Sequence, residues 1–122
     1  MAELSVSQFL IVGQIVILRI GGELAVDNCA AVQRGLARAL AVHDPPRLVV
    51  DLSELSSSDS YGLAALMGAD RHARETNGQM LVAGATDVFR VELRRRGLDE
   101  MLTLRRTVSE AIVELRMAFP DS

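Results

Sequence analysis

The stretch from Leu48 to Leu66 constrains the fold more than any other part of the chain. It reads Leu48-Val49-Val50-Asp51-Leu52, then the polar Ser53-Glu54-Leu55-Ser56-Ser57-Ser58, then Asp59-Ser60-Tyr61-Gly62-Leu63-Ala64-Ala65-Leu66. An apolar run with no polar alternation suits a strand covered on both faces. Such strands belong to parallel sheets, whose neighbours are joined by crossover helices rather than tight hairpins. Asp44-Pro45-Pro46 ends any preceding helix, because proline lacks an amide hydrogen and disfavours helical geometry in the residue before it. Residues 53–58 read as a polar loop. Residues 63–76 read as a helix, with Leu63, Leu66, Met67 and Ala73 on one side and Arg71, Arg74 and Glu75 on another.

The flanking segments extend this pattern. Residues 5–12 and 15–20 are short apolar runs separated by Gly13-Gln14, a hairpin signal, and Gly21-Gly22 closes the second strand. Residues 26–43 are Ala-rich, and Cys29, Val32, Leu36 and Leu40 recur at helical steps. Asn77-Gly78 supplies a left-handed cap, and residues 80–83 form another strand. Residues 86–96 form a short helix closed by Gly97, and residues 101–104 a short strand. Residues 107–119 form a last helix whose core face is Val108, Ala111, Ile112 and Leu115. The order β-β-α-β-α-β-α-β-α predicts an α/β sandwich: a mostly parallel mixed sheet of about five strands, with about four helices.

At 122 residues the chain is sized for one domain, 1–122, with a core that needs neither disulfide nor metal. Its net charge of −3 gives no general reason to bind nucleic acid or an anionic membrane. Cys29 is the only cysteine, and His43 and His72 are far apart in sequence, so neither a disulfide nor a zinc site is expected. Glu3 and the absence of a basic leading segment argue against a signal peptide. Apolar runs of about six residues are too short to insert in a membrane, so a cytoplasmic location is expected. No phosphate-binding loop is present, and no cofactor is expected.

Ser57, Ser58, Asp59 and Ser60 stand where a helix begins, and each can accept from its unpaired amides, so all four read as competing caps. Ser60 as a nucleophile would need a base within reach. His72, twelve residues along the same predicted helix, lies roughly 18 Å away. Ser58 also occupies the first glycine position of a Gly-x-Ser-x-Gly elbow, so an enzyme is not expected. Cys29, on the apolar stripe of the first helix, reads as an inert core thiol. Arg90, Arg94, Arg95, Arg96, Arg105 and Arg106 form one basic concentration. It reads as a solvated helix face beside Glu92 and Asp99, or alternatively as a patch for an acidic partner. With few aromatic residues, stacking on single-stranded nucleic acid has little support.

Asp59-Ser60-Tyr61-Gly62-Leu63-Ala64 resembles the Asp-Ser-Ser-Gly-Leu-Gly signature of the STAS family, typified by bacterial anti-sigma factor antagonists. Gly22-Glu23-Leu24 resembles that family's Gly-Glu-Leu-Asp turn, and Val49-Val50-Asp51-Leu52-Ser53 its strand before the phosphosite. Gly78 to Val82, Val88 to Leu93, Gly97-Leu98 with Met101-Leu102, and Val108-Ser109-Glu110-Ala111 resemble its later landmarks. The resemblance implies a STAS-like sandwich with Ser60 as phosphoacceptor, and Glu23, Asp59, Ser60, Tyr61, Gly62 and Leu63 in the partner-binding set. It implies that the unphosphorylated chain binds an anti-sigma factor of the serine-kinase type, so regulating sigma-factor-dependent transcription. Phosphorylation releases it and a serine phosphatase resets it. Two residues depart from the pattern: Tyr61 replaces a small hydroxyl residue, and Ala25 stands where the turn usually has Asp. The run Asp59-Ser60-Tyr61-Gly62-Leu63-Ala64-Ala65-Leu66 also resembles the small STAS subunits docked on the ATPase of lipid-transport ABC complexes. A non-phosphorylated STAS scaffold is a further alternative.

Overall fold

The computed structural model describes residues 5–121. Strands β1 (Ser5–Val12) and β2 (Ile15–Leu24) form an antiparallel hairpin, turned at Gly13 with φ +63°. Helix α1 (Cys29–Leu40) crosses to β3 (Arg47–Asp51), which pairs parallel with β2. Strand β4 (Leu55–Ser58) and helix α2 (Ser60–Glu75) follow. Then come β5 (Gln79–Ala83), α3 (Asp87–Arg95), β6 (Leu104–Arg105) and α4 (Val108–Ala118). The sheet order is β1-β2-β3-β5-β6, with β5 and β6 parallel to their neighbours and β4 paired to the far half of β2.

All five residues of β3 are buried, as expected for a strand between two helical layers. On one face Leu18, Ile20, Leu48, Val50 and Val82 pack against Val32 and Leu36 of α1, Leu63 and Leu66 of α2, and Phe89 and Leu93 of α3. On the other, Ile15, Ile17, Val49 and Leu81 pack against Ala111 and Leu115 of α4, with Val108 and Ile112 at its margin. Cys29 is partly buried against the larger cluster.

Three expectations are corrected. Among the described residues the mixed sheet of about five strands is extended by a sixth. The extra one, β4, comes from the segment read as a loop: Ser56, Ser57 and Ser58 are polar and the strand is short, but its backbone groups pair with Gly22 to Leu24. For the same reason Gly21-Gly22 does not close β2, which runs on to Leu24. The last strand lies at Leu104–Arg105, not at residues 101–104. Met101 is half exposed, and Val82 pairs with Leu104.

Candidate functional site

The second half of β2 carries the site. Gly22 donates its amide to the Glu54 carbonyl (3.0 Å), and the Ser56 hydroxyl donates to the Gly22 carbonyl (2.9 Å), which holds β4 alongside. The chain then turns at Ala25. Asn28 ties that turn: its Oδ1 accepts from the Ala25 amide (2.8 Å) and its Nδ2 donates to the Glu23 carbonyl (2.7 Å). Asn28 is the N-cap residue of α1 but spends its side chain on the turn and makes no cap bond; the helix starts at Cys29, not at Val26.

Asp59 joins this turn to α2. Its amide donates to the Leu24 carbonyl (3.0 Å). Its Oδ1 accepts from the Gly62 amide and its Oδ2 from the Val26 amide, both at 3.0 Å. One carboxylate therefore caps the helix and clamps the β2–α1 turn onto it. The Gly62 amide, helped by those of Val26 and Tyr61 and by the charge of Arg96, holds the Asp59 carboxyl below its ordinary value, against an opposing cost of desolvation. Among four candidate caps the carboxylate takes the role. Ser58 instead donates to the Asp59 carbonyl (3.2 Å), and Ser60 becomes the first residue of α2, exposed to solvent.

Gly62 permits a close approach. A Cβ there would lie 2.5 Å from Leu24 Cγ and 2.6 Å from Ser58 Oγ. Leu24 and Leu63, each 1% exposed, pack in the core beneath. Tyr61, by contrast, is 60% exposed beside Ser60, with Val26 half exposed nearby in the clamped turn. Beyond Ser58 a groove of about 130 Å³ separates β4 from α3.

The family model described as "Mlab, STAS domain" matches residues 7–105, most of the chain. The chain belongs to the STAS family. Among solved structures similar to this STAS domain is an anti-sigma factor antagonist from Mycobacterium paratuberculosis. It is 21% identical with a TM-score of 0.81, over 93% of this chain and 95% of that one. A Ser-to-Glu variant of Moorella thermoacetica RsbS is 18% identical, TM-score 0.77, over 93% and 97%. The Bacillus cell fate determinant SpoIIAA in its phosphorylated form is 19% identical, TM-score 0.62, over 95% and 100%. At these identities the likeness is one of fold.

The STAS domain thus brings Glu23, Asp59, Ser60 and Tyr61 to one end of the sheet. Gly62 and Leu63 belong to the same turn but face inward, so they shape the surface from below. Glu23 lies at the end of β2 opposite Ser57, not in a free turn. The sequence reading missed Val26 and Asn28. The signal available for Asn28 was a side chain of capping type just before an Ala-rich helical run. His43 and His72 both line a hollow elsewhere, with Asp44 and Thr76, and among the described residues neither imidazole is hydrogen-bonded to Ser60. No group of three or more His, Cys, Asp or Glu is placed to hold a metal among those residues, and no described helix is long and apolar enough to cross a membrane.

Proposed function

We propose that this STAS domain is an anti-sigma factor antagonist, a binding module rather than a catalyst, whose partner contact is switched by phosphorylation of Ser60. The observation that carries the reading is the division between Asp59 and Ser60. Asp59 caps α2, so the Ser60 hydroxyl stands exposed at a helix start with no structural duty. The fold shared with several anti-sigma factor antagonists supports it. A phosphate on Ser60 adds roughly −1.5 to −2 charges to that surface. It would stand at the start of α2 beside Asp59 and the exposed Tyr61, at the end of the sheet that also carries Glu23 of β2. A partner seated there must desolvate that charge or leave. The partners are a serine-kinase anti-sigma factor and a serine phosphatase, in a cytoplasmic setting.

The test is to incubate the protein with its kinase and ATP, map the modified residue by mass spectrometry, and titrate Ser60→Ala and Ser60→Asp against the same partner by calorimetry. Ser60→Ala keeps binding and ignores the kinase; Ser60→Asp binds more weakly. Modification elsewhere, with Ser60 untouched, overturns the proposal. The second reading, a constitutive subunit on a lipid-transport ATPase, rests on the run Asp59 to Leu66, within which Gly62, Leu63, Ala65 and Leu66 are buried and so are accounted for by core packing.

A further inference from the structure

We infer that the solvent face of α3, together with the groove between α3 and β4, is a docking site for an acidic protein segment carrying a large apolar anchor. The groove is lined by the apolar Leu55, Leu63, Val88 and Phe89 and by the serines at 56–58, Thr86 and Glu92. Its volume of about 130 Å³ suits one side chain, since an apolar cavity of about 150 Å³ admits benzene. Scattered exposed apolar residues are ordinary on a protein surface. Here, however, Val88 is 69% and Val91 53% exposed, three residues apart on one side of α3, and Val88 itself lines the groove. That combination is what a binding patch presents.

The charges choose the occupant. Helix α3 with its cap residue Arg96 carries Arg90, Arg94, Arg95 and Arg96 against only Asp87 and Glu92. Glu92 is already shared by Arg95 (3.5 Å) and Arg96 (2.8 Å). Arg90 and Arg94 have no ion-pair partner among the described residues. Helix α3 is thus net positive and exposes Val88 and Val91, which complements a segment bearing carboxylates around an apolar anchor. The groove's side-chain dimensions fit a protein segment rather than a flat anionic bilayer. The surface adjoins the Ser57–Ser58 approach to Ser60, so an acidic occupant would also be repelled by a phosphate there. Only this last point rests on the function proposed above.

The test uses the unmodified full chain labelled with nitrogen-15, titrated with two synthetic helical peptides. Both carry leucine anchors at helical spacing, one with glutamate and one with lysine at the remaining positions. The glutamate peptide is expected to bind and to shift resonances of Val88, Phe89 and Val91, more weakly at higher salt. Val88→Asp should lower its affinity by about tenfold. The double variant Arg90→Glu/Arg94→Glu should lose the glutamate peptide and gain the lysine peptide. Unchanged thermal unfolding in these surface variants separates lost contact from lost fold. Equal binding of both peptides, or binding of neither, overturns the inference. So does binding to phosphatidylglycerol vesicles without binding to the glutamate peptide, or a self-association that Val88→Asp abolishes. Because every arm uses unphosphorylated protein, failure here leaves the Ser60 reading to its own kinase experiment.

Discussion

The Val26 amide, in the turn after β2, donates to Oδ2 of Asp59 at 3.0 Å across a sequence separation of 33 residues. The other oxygen of that carboxylate is held by the Gly62 amide. The start of α2 and the β2–α1 turn are thus coupled through one ionised group.

That coupling has a pH signature. The folded-state pKa of Asp59 lies below the ordinary 3.8, so its contribution is present above about 3.8 and is lost as pH falls through the lower folded value. Asp59→Asn has one acceptor oxygen for two amides: it either caps Gly62 and turns its NH2 toward the Val26 amide, or serves Val26 and loses the cap. We expect it to melt below wild type at neutral pH, with the gap closing on strong acidification. Thermal unfolding followed across the acid range checks this, and parallel curves for the two proteins would refute it.

Asp70 carries the opposite sign. It is 5% exposed on the inner side of α2, and burial raises its pKa above 3.8 despite the Arg74 guanidinium at 3.0 Å. Its protonated form suits the folded state, so stability is lost as pH rises from 3.8 through the raised folded value. Asp70→Asn should therefore melt higher than wild type at neutral pH and match it in acid. A lower melting point at neutral pH would mean that the Arg74 pair outweighs burial.

Two glycines of the same helix should respond in opposite directions to alanine. A Cβ on Gly62 meets Leu24 and Ser58, and such overpacking costs about 1–3 kcal/mol. A Cβ on Gly68 meets nothing within 4 Å, and alanine at an open helical position gains about 0.5–1 kcal/mol. Chemical denaturation of both variants measures the pair. Destabilisation by Gly68→Ala, or neutrality of Gly62→Ala, contradicts the packing described.

Ser60→Ala should leave stability within about 0.5 kcal/mol of wild type, because the cap belongs to Asp59 and Ser60 is exposed. The same denaturation experiment decides. A loss of about 1 kcal/mol, typical of a removed cap, would return the capping role to Ser60.

Much of this architecture was legible from local pattern. The hairpin, the buried strand at Leu48 to Val50 and all four helices announce themselves through period and punctuation, and the core face of α4 was read correctly at Ala111 and Leu115. What escaped depends on pairs distant in sequence. Strand β4 exists because Gly22 to Leu24 continue β2 alongside it, and no property of three serines foretells that partner. The inward role of Gly62 is defined by Leu24, thirty-eight positions earlier by their numbering, and the turn at Ala25 is held by the side chain of Asn28, which the helical pattern of residues 26–43 did not single out. Residues such as Ser60 and Tyr61 were placed correctly at the helix start, because capping chemistry is local.

Giving the cap to Asp59 also has a consequence over evolutionary time. A position that supports nothing can gain or lose a hydroxyl without unfolding the protein. Single substitutions at position 60 can therefore add or remove a hydroxyl at the start of α2, each passing through a folded intermediate. The residues that must stay together are Leu24, Val26, Asp59 and Gly62, whose mutual contacts leave them far less room to drift.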